Sequence, residues 1–328
     1  MILFELLLFL VSIIVIFLSL KGYGSLLSSN EDKNLFLDVF LGFIPVSLIV
    51  TLIHFFSKID SIISILILTF GLILVYKNSY LNYSALFKKK NLTYLLVILF
   101  FLPMYISQKY HEDFGYYHLP YALALIEEKI IFGFANIDTP FVYNSLWLNL
   151  KPLFFLDNKN FNFLTLPSFL LFISFILFSI NEVLNKKYIQ NSDYFLVVVI
   201  FYFILKFTRI SEFGVDFPAI IFSILAIYYF IKFSETKEIS KKISFFYFNF
   251  IFSVFSILIK LSTAPILLLT IYIYFFNFKN LKFIIFKIKF FFLCIFLFFI
   301  FLFFLYEDLI LDFIFLTFFL IGLADFLT

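Results

Sequence analysis

The residue types best suited to chemistry in this 328-residue chain lie between Gln108 and Leu150, which reads QKYHEDFGYYHLPYALALIEEKIIFGFANIDTPFVYNSLWLNL. Glu112 and Asp113 stand there within a few residues of His111, Tyr116, Tyr117 and His118. A carboxylate in such a group suits general-base removal of a proton from a hydroxyl; a second acid nearby raises its pKa, and a cation or a metal lowers it. Two adjacent acids diverge in direction, so one is expected to meet the acceptor. Asp113 is the first choice and Glu112 the second. Tyr117 and His118 are candidate contacts to a phosphate or a sugar, although a histidine here packs at an interface equally often. An isolated acid pair would be merely solvated; the neighbouring histidines and tyrosines favour a site.

Further along, GFANIDTPFVYNSLW supplies Asn136, Asp138, Asn144 and Ser145 ahead of Trp147, the pattern of a polar pocket wall ending at an interfacial anchor. Two later turns add charges. FTRISEFGVDFPAI carries Arg209, Glu212 and Asp216, and IKLSTAPIL carries Lys260. A guanidinium at Arg209 suits bidentate contact with a lipid-linked phosphate. Lys260 would complete a phosphate-binding set, or simply snorkel. Asp216, just before Phe217-Pro218, is explained equally well as a helix N-cap.

The elements that must position these residues are membrane helices. Mean hydropathy is +1.10, with 64% hydrophobic and 14% charged residues, which places the chain in the polytopic membrane class. The 58 phenylalanines are read as lipid-facing bulk, and a net charge of +3 spread over connectors gives nucleic-acid binding no support. A single cysteine, Cys294, excludes an intrachain disulfide and a cysteine-cluster metal site. The first run, carrying Glu5, lacks a basic leader and a small-residue cleavage site, and is read as a retained span.

Apolar runs fall near 2–20, 35–56, 60–76, 92–107, 161–180, 194–210, 217–233, 245–259, 264–276, 290–306 and 309–327. The expected fold is therefore all-α, with about 11 transmembrane helices (about 9–12) in one transmembrane domain over 1–328. Four spans occupy 1–107, an extracytoplasmic loop 108–160, and the remaining spans 161–328. The pair near 245–276 also fits a broken or re-entrant helix. Connectors bearing Lys77 and Lys88 to Lys90, Lys186 and Lys187, Lys237, Lys241 and Lys242, and Lys279, Lys282, Lys287 and Lys289 all fall on one side. By the positive-inside rule that side is cytoplasmic, so the acidic loop faces outward. Within the loop, Leu119 to Phe132 reads as an amphipathic surface helix with Leu119, Leu123, Ile126 and Ile130 at helical spacing. The chain stops at ADFLT without a soluble domain, as either an incomplete sequence or a short protein would.

This layout resembles the GT-C superfamily of polytopic glycosyltransferases, which use polyprenyl-phosphate-linked sugars and carry an acidic motif in the first large external loop. Residues 100–275 also resemble a family of uncharacterised bacterial multi-spanning proteins with three sequence blocks. A D-x-G-x-YH block matches Asp113, Gly115, Tyr117 and His118. A G-x-A-N block matches Gly133, Ala135 and Asn136, and an N-S-x-W block matches Asn144, Ser145 and Trp147. The later VDFPA and KLSTAPILL segments are similar too. The resemblance implies an inverting glycosyltransferase of the bacterial cytoplasmic membrane. Its partners would be the bilayer, a polyprenyl-phosphate-sugar donor, and a glycan or lipid acceptor. Asp113 would act as base, Arg209 and Lys260 would neutralise the leaving phosphate, and a divalent metal is an optional cofactor. Two other classes are carried beside it. A transporter or polysaccharide export component would use intramembrane charges such as Glu5, Asp38, His54 or Lys206. A non-catalytic membrane subunit would tolerate neutral substitutions in the loop.

Overall fold

The computed structural model describes residues 2–28, 35–78, 89–106, 113–131, 145–155, 162–184, 188–206 and 213–276. Among the described residues every regular element is helical. The chain divides into two compact units: Met1–Ile130 with Ser145–Ile273, and Ile131–Asn144 with Tyr274–Thr328. In the second unit only Ile131 and the last turn of one helix, Tyr274 to Phe276, are described.

The first unit is a helical bundle built from α1 (Ile2–Gly24), α2 (Leu35–Phe56), α3 (Ser61–Asn78), α4 (Lys89–Ile106), α5 (Leu119–Glu127), α6 (Leu146–Asn149), α7 (Lys151–Phe154), α8 (Asn162–Leu184), α9 (Asn191–Leu205), α10 (Asp216–Glu235), α11 (Ile239–Ile259) and the start of α12 (Leu267–Phe276). Four helices among the described residues are long and apolar enough to cross a membrane: Leu35–Phe56, Phe163–Leu184, Asp216–Glu235 and Ile239–Ile259. Shorter apolar helices occupy the other runs up to 264–276; those at 290–306 and 309–327 lie outside the described residues. The protein is a helical membrane protein.

The central helices are α2 and α8, whose spanning windows are 78% and 94% buried inside the protein. Both are apolar all round, which suits a helix with neighbours on every side. Phe40 on α2 shows how the bundle closes. Its ring lies edge-on to Phe178 of α8 at 5.6 Å, and to Phe222 of α10 and Phe252 of α11 at 6.5 Å each. Edge-to-face pairs of this kind add specificity to the area they bury. Helices α1, α2 and α3 approach still more closely. A Cβ at Gly22 would collide with the Gly71 backbone of α3, and one at Gly42 with the Leu20 carbonyl of α1. Small residues at such crossings let backbones pack in the absence of a hydrophobic drive between helices.

Helices α10 and α11 form an antiparallel hairpin, and α11 breaks at Lys260 into a 3-10 turn, Leu261–Ile266, that leads to α12. Pro265 lies within that turn. Beyond the break the chain comes back to α11 through a side-chain hydrogen bond. The Thr270 hydroxyl of α12 donates to Asn249 Oδ1 at 2.7 Å, and Asn249 Nδ2 donates to the Ala226 carbonyl of α10 at 2.8 Å. Lys237, Lys241 and Lys242 join α10 to α11 at the end opposite Asp216 and Lys260. This connector and the Asp216–Lys260 pair therefore lie at opposite ends of the α10–α11 hairpin.

Two expectations for the loop are corrected. The expected surface helix, Leu119 to Phe132, ends at Glu127, and it buries Tyr121, Ala122 and Leu125 instead of Leu119, Leu123, Ile126 and Ile130. Trp147 is not at an interface. It is 1% exposed, with its ring 5.1 Å from Phe43 of α2 and 6.4 Å from Phe222 of α10. Ser145 to Phe155 turns back among the helices as two short helical turns, all of it buried.

Candidate functional site

Asp113 opens a π-helical turn, Phe114–His118, that runs directly into α5. Single π turns inserted next to an α-helix often mark functional positions. The Asp113 carboxylate does not cap the turn, and the residue is half-buried. Tyr117 and His118 are also half-buried, with ring centres 4.1 Å apart. A Cβ at Gly115 would meet nothing within 4 Å, so bare backbone and open space lie beside the acid.

Phe213 ties this turn to the next part of the site. The Phe114 ring lies 4.3 Å from the Phe213 ring, and the Phe213 carbonyl accepts a hydrogen bond from Lys151 Nζ at 2.6 Å. The same ammonium stands 5.2 Å over the Phe213 ring, within cation–π range. Three residues on, Asp216 begins α10, and its Oδ1 accepts a hydrogen bond from Lys260 Nζ at 2.5 Å. Acid at a helix start and lysine at a helix end both complement the helix dipole, so each charge suits its position. Val215, not Asp216, is the N-cap, and the Asp216 carboxylate is directed to Lys260.

Two tethers hold the ends of the segment between Ile131 and Asn144. At its start, His54 Nε2 at the end of α2 donates to the Glu128 carbonyl at 3.0 Å, and the His54 carbonyl accepts from the Ile130 amide at 3.0 Å. At its end, Ser145 Oγ donates to the Ile259 carbonyl at 2.7 Å and accepts from the Trp147 amide at 3.2 Å, capping α6. Asn149 Nδ2 donates to Thr51 Oγ1 at 3.3 Å, one turn before His54. The ends of α2, α5, α10 and α11 and the turned-back segment therefore meet at one end of the bundle.

Of the residues expected to form a site, the structure describes Asp113, Tyr117, His118, Asp216 and Lys260. Asp113, Tyr117 and His118 share one turn, and Asp216 and Lys260 form an ion pair. Glu112, Asn136, Asp138, Asn144, Arg209 and Glu212 lie outside the described residues. Among the described residues no three His, Cys, Asp or Glu side chains gather into a metal-binding group. Of the charges an intramembrane transport site would use, Asp38 is half-buried, His54 is buried at the end of α2, and Lys206 is exposed at the end of α9.

Lys151 is the residue that sequence reasoning passed over. It is 1% exposed, and α7 lies outside the spanning helices, where burial pushes the ammonium down from 10.5 to about 7. The available signal was a lone charge followed by proline in the apolar stretch LWLNLKPLFFL, 146–156. With its pKa this far down, either protonation state of the lysine is accessible near neutrality, the condition that proton transfer or anion contact requires.

Comparison with curated proteins and with solved structures returns no match. One family model does match, over residues 6–312. The chain belongs to the family described as Domain of unknown function (DUF8201).

Proposed function

We propose that the protein is a GT-C-type glycosyltransferase of the bacterial cytoplasmic membrane, with about 11 spans and the Asp113 end of the bundle facing outward. It moves a sugar from a polyprenyl-phosphate donor to an extracytoplasmic glycan or lipid. Asp113 takes the proton from the acceptor hydroxyl, and that oxygen attacks the anomeric carbon. The bond from that carbon to the phosphate oxygen breaks, and polyprenyl phosphate leaves with both electrons. Phosphate is a good leaving group, so positioning and charge stabilisation carry most of the rate. The sugar and acceptor contacts are assigned to Tyr117, His118, Asn136, Asp138 and Asn144. Arg209 and Lys260 neutralise the leaving phosphate, and Glu212 and Asp216, the latter paired with Lys260, complete the substrate-binding set.

The observation that carries this reading is the convergence on Phe213: its ring packs on Phe114, next to Asp113, while its carbonyl holds a buried lysine. An acid and a cation are thereby brought to one end of an apolar bundle, as a base and a phosphate contact would need. The test is reconstitution in vesicles holding a polyprenyl-phosphate sugar, with release of polyprenyl phosphate as the readout. Wild type is expected to release it and Asp113→Asn to fail while remaining folded. Equal release by both would overturn the assignment of Asp113.

A further inference from the structure

Lys151 and Lys260, both at the Asp113 end of the bundle, are not equivalent. Lys260 is already matched by Asp216 at 2.5 Å, with both side chains part-exposed. Lys151 has three donors and uses one, on the Phe213 carbonyl. It enters no ion pair with any described residue. The elements packed against α7 carry Lys77 on α3, Glu127 on α5 and Glu182 on α8, none of them paired with it. A buried ammonium without an anion is costly, and an apolar side chain of similar volume would serve packing better. Tethering Phe213 alone therefore does not account for a lysine. Among the described residues its other two donors meet no acceptor, and they lie a few residues from the open backbone at Gly115 through the Phe213–Phe114 contact.

We propose that Lys151 is the cation of an anion site that takes a phosphoryl group at the Asp113 end of the bundle. The proposal deepens the glycosyltransferase reading and rests on it for the lipid source of that phosphoryl group; the cation itself is argued from the surroundings of Lys151. The ammonium swings from the Phe213 carbonyl or keeps it as one of three acceptors, and the phosphoryl oxygens fill the others. Lys260, shared with Asp216, would then contribute at the rim.

Trp147 provides the readout, being the single tryptophan, buried, and four residues before Lys151. Protein in phosphatidylcholine vesicles is titrated with inorganic phosphate in the buffer and, separately, with polyprenyl phosphate in the bilayer, following tryptophan emission. Polyprenyl phosphate should bind saturably, about tenfold or more weakly in Lys151→Met and within about threefold of wild type in Lys151→Arg. Wild-type affinity in a folded Lys151→Met protein overturns the site while leaving the donor reading intact. Binding of inorganic phosphate alone, lost in Lys151→Met, keeps the site and removes the lipid donor. No binding of either by wild type removes both. Should Lys151→Met not fold, amine labelling of wild-type Lys151, read by mass spectrometry, decides. Slower labelling under saturating polyprenyl phosphate supports the site, and an unchanged rate overturns it.

Discussion

Ser145 and Ile259 are joined by a 2.7 Å hydrogen bond, placing the start of the turned-back segment one residue from the Lys260 that pairs with Asp216. The hydroxyl also caps α6, so one side chain both starts that short helix and fastens it to α11. Losing such a cap costs about 1 kcal/mol, and here a buried carbonyl is orphaned as well. Ser145→Ala should lower thermal stability by about 1–3 kcal/mol and shift Trp147 emission to longer wavelength. Unchanged emission and melting would show that the tether is dispensable.

His54 offers a local probe of the other tether. His54→Phe keeps an aromatic ring but leaves the Glu128 carbonyl without its side-chain donor. Loosening there should expose the chain beside Lys129, which is already at the surface. Tryptic cleavage after Lys129 is expected to accelerate several-fold relative to cleavage in the α10–α11 connector.

The Asp216–Lys260 pair is part-exposed, so its net worth to stability is expected to be small, about 0–1 kcal/mol. A double-mutant cycle of Asp216→Asn and Lys260→Met, read by denaturant or thermal unfolding, should return a coupling in that range that shrinks with salt. A coupling of several kcal/mol would mean that the pair is far more desolvated than its exposure indicates.

Lys151 makes a prediction with a defined sign. Its folded pKa, about 7, lies below the ordinary 10.5, so between those values the unfolded chain binds more protons than the folded one. Stability from this group therefore rises with pH across that window and is lost as pH falls through it. Lys151→Met should flatten the slope between pH ~7 and pH ~10 and raise stability at neutral pH by on the order of 1 kcal/mol. A slope unchanged by the substitution would show that Lys151 is charged and compensated in the folded protein.

The helical framework was legible because a bilayer demands long apolar runs, and the break at Lys260 was legible because a lysine, Ser262, Thr263 and Pro265 interrupt one. What could not be read was the fate of Ser145 to Phe155. Trp147 has the composition of an interfacial anchor, and only the surrounding α2, α10 and α11 show that it is enclosed. Lys151 was hidden by the same uniformity, since its burial depends on Phe213, 62 residues away. The helix after Pro120 was found, but its buried face was turned, because periodicity in a nearly all-apolar stretch fits several faces equally. Lys260 was seen as a cation, while its pairing with Asp216, 44 residues away, leaves no local trace.

The most direct test of the account is transfer itself. Wild type and Asp113→Asn, reconstituted in vesicles containing a polyprenyl-phosphate sugar and membrane-derived acceptors, are compared for release of polyprenyl phosphate. The account predicts release by wild type and a loss of about a hundredfold or more in a folded Asp113→Asn protein, the scale of a lost general base. Release at the wild-type rate by Asp113→Asn would contradict it.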